Sequence, residues 1–257
     1  MSARRRRTIP RTAAPFLQQI QTVPERVDPA TFPFTIRAFA NGIDLRLRAR
    51  VTFFVGENGS GKSTLLEALA ECCGFNPEGG NRDHHRAVFA DRSPLAQALT
   101  LTWRPKVTEG FFMRAESFYN FATYIEEVSP ALGAYGGRSL HRQSHGESFM
   151  ALFANRFEAG IYILDEPEAA LSPQRQLSFL RVLHDLDHTG HAQFIIATHS
   201  PILLSYPGAV LFDLDGDAIQ AVAYKDTRHY TLTRDFLNSP ERFFKHLFAP
   251  PDEQPET

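Results

Sequence analysis

Residues 56–64 read GENGSGKST, directly after the apolar run TFFV at 52–55 and ahead of Leu65, Leu66, Leu69 and Cys72 at helical spacing. A G-x-x-x-x-G-K-[ST] string between a buried strand and a helix start is the pattern of a loop that wraps phosphate. Successive backbone N–H groups point inward around a β-phosphate, and glycines at Gly56, Gly59 and Gly61 let the chain come that close. The whole stretch is therefore the expected nucleotide cradle: Gly56, Glu57, Asn58, Gly59, Ser60, Gly61, Lys62, Ser63 and Thr64. Lys62 is expected to bridge the β- and γ-phosphates, Ser63 to ligate Mg²⁺, and Thr64 to hold the α-phosphate side. A glycine-rich turn that only joins strand to helix is the alternative, and the rarity of the string argues against it.

Downstream, IYILDEPE at 161–168 carries an apolar strand into acids. Asp165, at the C-terminal end of that strand, can reach the Mg²⁺ shell beneath the phosphate loop. Glu166 faces the other side of the strand end and is expected to be buried beside Asp165, as the general base or the group that orients an attacking water. A strand ending in a solvated acidic loop is the alternative. Glu168 receives no role beyond proximity.

The remainder of the 257 residues points to one globular unit. Hydrophobic residues make up 43%, enough for a large core, and a formal charge of −2 excludes the overall basic bias of a dedicated nucleic-acid binder. RRRR at 4–7 lies in a Pro-, Thr- and Ala-rich start without an apolar h-region and reads as a solvated tail. No apolar run approaches the roughly 18 residues of a membrane helix. Cys72 and Cys73, adjacent and the only cysteines, suit a reducing, cytoplasmic setting. Strands are expected over 32–39, 43–51, 99–104, 110–116, 161–165 and 193–198, and a hairpin over 210–222 with its turn at Asp215 and Gly216. Helices are expected over 63–73, 116–128, 173–186 and a last segment, 232–248, that packs back on the core; residues 74–95 read as loop. His184 and His188 have a metal-binding spacing without an H-E-x-x-H context, and the D-G turn explains FDLDGD better than calcium does.

The segment HRQSHGESF at 141–149 has Ser144 and Glu147 at capping-box spacing ahead of an apolar helix. Taken together, GENGSGKST, QSHGES, IYILDEPEAALS and IIATHS occur in the order and rough spacing of the nucleotide-binding domains of ABC-class ATPases, which the chain resembles over about residues 31–215. Within that class, GFFMRAESF, SHGES and DEPEAALSP resemble small soluble ATPases related to the heads of double-strand-break repair and chromosome-maintenance proteins. The resemblance implies an α/β P-loop NTPase fold: a mostly parallel central sheet flanked by helices, with N-terminal antiparallel strands and a small helical lobe at about 110–155. It implies a single domain over 15–250 between tails at 1–14 and 251–257.

It also implies a Mg²⁺-dependent ATPase that hydrolyses ATP between two head-to-tail copies, with Lys62, Glu166 and the switch residue His199 as the catalytic set. Gln143 to Glu147 would be the signature motif, with Ser144 and Gly146 touching the partner's γ-phosphate from a helix N-terminus. His145 departs from the usual glycine, Ser172 replaces the usual D-loop acid, and Glu116 stands where a Q-loop glutamine is common. Phe32, Phe34 and Arg37 are candidates for adenine contact. The implied partners are ATP, a second copy, and DNA or a protein effector. Two other readings are a transporter's ATP-binding subunit, which the absent glutamine argues against, and a slow ATP-gated switch.

Overall fold

The computed structural model describes residues 13–76, 79, 92–114 and 159–248. The first half contains β1 (Leu17–Thr22), β2 (Asp44–Arg46), β3 (Val51–Val55), α1 (Lys62–Cys73), α2 (Pro94–Ala98), β4 (Leu99–Trp103) and β5 (Gly110–Arg114). The second contains β6 (Gly160–Asp165), α3 (Pro173–His188), β7 (Ala192–Ala197), α4 (Pro201–Leu204), β8 (Val210–Asp213), β9 (Gln220–Val222), α5 (Arg228–Asn238) and α6 (Pro240–Leu247).

Six strands form the central sheet in the order β5-β6-β7-β3-β8-β9, parallel throughout except for the final β8–β9 hairpin. Every residue of β3, β6 and β7 is buried. That burial accounts for their near-continuous apolar sequences, because a parallel sheet covered on both faces has no side to offer water. One core cluster runs from α1 through Phe54, Ile163 and Ile195, and another runs from α3 through Phe53, Leu164 and Phe194. The C-terminal ends of β3 and β6 consequently open on one edge, where the phosphate loop and Asp165 meet.

A second, antiparallel sheet has the order β2-β1-β4. It is tied to the first by Gln193, a fully buried amide at the second position of β7. Its Oε1 accepts from the N–H groups of Phe16 (2.8 Å) and Leu17 (2.9 Å), and its Nε2 donates to the Leu17 carbonyl (2.8 Å). Just before it, the Ala14 N–H donates to the Gly190 carbonyl at 2.8 Å, so the chain is already joined to the core where a tail was expected to end.

Several sequence expectations change. Residues 32–39 form turns and a 3-10 segment over Arg37–Phe39, because the buried residues are Pro33, Phe34, Ala38 and Phe39, two pairs spaced as on a helix rather than alternating. The expected strand over 43–51 divides into β2 and the start of β3, which lie in different sheets. Within the expected 74–95 loop, Ser93 caps α2 by accepting from the Ala96 N–H at 3.3 Å. The C-terminal segment is two helices meeting at Ser239, and neither buries a residue; Leu237, Leu247 and Phe248 are 71%, 65% and 76% exposed, so it does not pack its apolar side into the core. Of the expected helical lobe, residues 110–114 are strand β5, and 115–155 lie outside the described residues, as do both tails' outer parts. The α/β fold with a mostly parallel sheet and antiparallel N-terminal strands is as expected.

Candidate functional site

The chain leaves β3 at Val55 and enters α1 at Lys62 through three glycines with left-handed or otherwise glycine-favouring backbone, Gly56 (φ 146°), Gly59 (φ 83°) and Gly61 (φ 99°). A Cβ on Gly61 would lie 2.7 Å from the Phe39 ring, and one on Gly56 would lie 2.6 Å from Ser60 Oγ. Both positions therefore need glycine for space as well as for conformation. A Cβ on Gly59 would meet nothing within 4 Å, so there the demand is on backbone alone.

Lys62 is only 4% exposed, and its Nζ donates to the carbonyls of Gly56 (2.7 Å) and Glu57 (3.0 Å). Burial lowers its pKa, while Glu166, Asp215, Asp165 and Glu57 act in the opposite direction. Ser63 Oγ donates to Asp165 Oδ1 at 3.2 Å. Asp165 is 3% exposed, and burial pushes its pKa upward despite the opposing pull of Arg114 and Ser63. Arg114 Nε reaches Asp165 Oδ2 at 3.1 Å, and its Nη2 pairs with Glu67 on α1.

Glu166 is the one non-glycine residue with positive φ among the described residues, at φ 50° and ψ 53°. Such backbone costs on the order of 1 kcal/mol and persists where its surroundings impose it. Here the Glu166 N–H donates to the Ala197 carbonyl at 2.9 Å, and Pro167 starts a 3-10 turn. The Glu166 side chain is 40% exposed rather than buried, which corrects the expectation and leaves room for a water beside it.

His199, one residue past Thr198 at the end of β7, has Nε2 3.3 Å from Glu166 Oε1, an ion-pair separation out of line for a hydrogen bond. Its backbone N–H donates to Glu168 Oε1 at 2.6 Å, and its Nδ1 lies 2.7 Å from His229 Nε2. Glu168 therefore does more than stand nearby: burial raises its pKa, opposed by the His199 N–H and Thr198, and it holds the backbone that carries His199.

The structure thus brings together Gly56 to Thr64, Asp165, Glu166 and His199. Sequence reasoning missed Arg114, Asp215, Arg228 and His229. Asp215 read as a hairpin turn, yet its Oδ1 accepts from the Glu57 N–H at 2.6 Å, and Arg228 Nη1 lies 3.3 Å from Glu57 Oε1. No spacing rule links such partners. Among the adenine candidates, Phe34 is 2% exposed and belongs to the core, Arg37 pairs with Asp217 (2.6 Å), and Phe32 is exposed. Ser144, Gly146 and Glu116 lie outside the described residues.

Two family models match the chain, one described as "AAA domain" over residues 35–102 and one as "AAA domain, putative AbiEii toxin, Type IV TA system" over residues 146–205. Similar curated proteins include the ribose import ATP-binding protein RbsA of Burkholderia mallei, 30% identical over 189 residues, spanning 62% of this chain and 35% of that protein. The petrobactin import ATP-binding protein FpuD of Bacillus anthracis is 27% identical over 173 residues, spanning 59% and 63%. The chain thus spans about a third of the first of these proteins and under two thirds of the second. Among solved structures, an SMC head domain from Thermotoga maritima aligns with TM-score 0.45 at 16% identity over 80% of this chain and 98% of that one. CbiO1 of Clostridium perfringens, from an ABC transporter complex, aligns with TM-score 0.48 at 16% identity over 88% and 97%. The family models fall on the phosphate loop and on the Asp165–His199 region, the two halves of the site described above.

The chain is similar to P-loop ATPases of ABC type. The site's residues fit a magnesium nucleotide on structural grounds. Glycines hold open a cradle that side chains would fill, and the first turn of α1 presents its N–H groups there. Ser60 Oγ is buried without a partner among the described residues, and Lys62 has only its own loop's carbonyls to satisfy it. Ser63 Oγ and Asp165 supply the oxygen donors that a hard cation prefers. Among the described residues, no group of three or more His, Cys, Asp or Glu side chains could hold a metal, and no helix is long and apolar enough to cross a membrane.

Proposed function

We propose that the protein hydrolyses ATP with Mg²⁺ at an interface between two copies. The observation that carries this is convergence: Lys62, Asp165, Glu166 and His199 come from three separate stretches of chain to one sheet edge, with the Glu166 side chain partly exposed to solvent on a strained backbone. A water beside Glu166 attacks the γ-phosphorus and passes its proton to the carboxylate. The new P–O bond forms as the bond to the β-phosphate oxygen breaks, leaving ADP and phosphate. Lys62 draws off charge from the β- and γ-phosphates, and His199 donates to the γ-phosphate through Nε2. Ser63 Oγ and Asp165 would hold Mg²⁺, which would supply Lewis-acid neutralisation of phosphate charge. Ser144 and Gly146 of a second copy complete the site.

Glu166→Gln tests the base. Turnover should fall at least about a hundredfold, since general-base catalysis contributes on that order, while ATP affinity holds and an ATP-bound dimer accumulates on size exclusion. Turnover at the parental rate would sink the assignment.

For the process driven, DNA repair or processing is the reading we favour, on the likeness of GFFMRAESF, SHGES and DEPEAALSP to repair-type heads. Stimulation of turnover by double-stranded DNA with a steep salt dependence is the expected result. Relatives named as import proteins support a transporter subunit instead, which co-purification with a membrane protein would establish. The toxin-system name of the 146–205 model supports a slow switch on an effector, marked by turnover far below about 0.01 per second.

A further inference from the structure

Arg114, the last residue of β5, stands outside the reaction described above, yet the fold sets it against the acid of the site. β5 and β6 are parallel, with Phe112 opposite Ile163 and Arg114 opposite Asp165. Phe112 and Ile163 both lie in the core cluster that includes Leu65, Leu66 and Leu69 of α1. Side chains two residues apart share a strand face, so Arg114 and Asp165 also point toward α1. Ser63 and Glu67 meet them there from one face of that helix, four residues apart.

The four side chains close a ring with the helix. Ser63 Oγ donates to Asp165 Oδ1 (3.2 Å), Arg114 Nε donates to Asp165 Oδ2 (3.1 Å), and Arg114 Nη2 pairs with Glu67. Each oxygen of Asp165 is thus held by a different donor, and the carboxylate cannot rotate without losing a hydrogen bond where it is only 3% exposed to water. Ser63 in turn commits its one hydrogen to Asp165, which leaves its oxygen with lone pairs to offer. Lone pairs on oxygen are what a hard cation takes. Glu67 matches the charge of the guanidinium, so Arg114 orients Asp165 without presenting the site with an unbalanced positive charge.

We propose that Arg114 is a positioning residue for the divalent cation: by holding Asp165 Oδ2 and Glu67 at once, it keeps Ser63 and Asp165 set as a ready pair of oxygen donors. The ring stands on its distances alone; its use by a cation rests on the function proposed above. Partners that orient metal ligands in this way change metal affinity by about ten- to a hundredfold. A guanidinium that is only a neighbouring charge predicts the opposite sign, because removing it makes the site more negative and strengthens its hold on a cation.

The test is calorimetric titration of the full chain with a non-hydrolysable ATP analogue, once in Mg²⁺ and once in EDTA. The readout is the ratio of the two dissociation constants, which is the tightening that the metal provides. Arg114→Met should cut that ratio about tenfold while the metal-free constant stays within about threefold of the parent's. Arg114→Lys keeps a positive charge but reaches one acid at a time, so it should cut the ratio as well, by about threefold, and it decides the matter if Arg114→Met does not fold. A ratio equal to or above the parent's in either folded variant would overturn the proposal. Equal loss with and without Mg²⁺ would show a distorted cradle rather than a misplaced metal ligand, and would overturn it too. A parent protein that binds the analogue no more tightly in Mg²⁺ than in EDTA would instead retire the magnesium reading of the site, and this proposal with it.

Discussion

Asp165 is an acid held where water barely reaches it, and its two partners do not repay that burial: its pKa is raised even with Arg114 at 3.1 Å and Ser63 at 3.2 Å. The sign follows from linkage. A carboxyl with a folded pKa above its unfolded value binds its proton more readily in the native state, so this contribution to stability is present at low pH and is lost as pH rises through the raised folded pKa. At neutral pH the nucleotide-free protein therefore bears the cost of burying this carboxyl. Glu168 adds to the same trend. Asp165→Asn should give a higher urea midpoint than the parent at pH 7 and a flatter midpoint profile between about pH 4 and 7. A lower midpoint at pH 7 would mean that the Arg114 pair outweighs burial. Residues such as Asp165 and Lys62 were legible because their neighbours in sequence define their place. Arg114, Asp215 and His229 were not, since their partners lie 51, 158 and 30 residues away and only the fold brings them together.

At the scale of elements, pattern reading succeeded where burial followed sequence period. β3, β6 and β7 are continuous apolar runs buried on both faces, and the β8–β9 hairpin turns at its Asp-Gly pair. It failed for β1, LQQIQT, which buries only Leu17 and Ile20 and pairs with β4 some 80 residues on. What stabilises β1 is largely non-local: its ladder to β4 and the amide of Gln193. In β7 that amide sits among apolar side chains and spends its hydrogen bonds on the backbone of Phe16 and Leu17. Gln193→Leu would strand two N–H groups and one carbonyl. At about 1–3 kcal/mol for each buried, unsatisfied group, relaxation permitting, the loss should be about 3 kcal/mol or more. Urea unfolding with an unchanged m-value should report it. A change below about 0.5 kcal/mol, the size of an ordinary surface substitution, would show that Gln193 is not what joins the two sheets.

At the scale of the whole molecule, the described site has a phosphate loop, an acid pair and His199 on one sheet edge, and the open question is what closes it. If the 143–147 corner of a second copy does, each of two sites draws its halves from different chains, and defects in different halves should complement. Lys62→Ala disables the loop half, and Ser144→Arg disables the corner. Each variant alone should be inactive, with Ser144→Arg still binding ATP because the fault acts on its neighbour. Mixed in equal amounts, the two should pair at random, so half the dimers would be mixed. Each mixed dimer would hold one intact site, the loop of the Ser144→Arg chain covered by the corner of the Lys62→Ala chain. Activity of about a quarter of the parental rate is the expected return for closed two-fold pairing. It should vanish on dilution below the dimerisation range and reappear with concentration. No recovery at any mixing ratio, from two variants that are folded and in which Ser144→Arg binds ATP, would show that one chain supplies both halves of its own site.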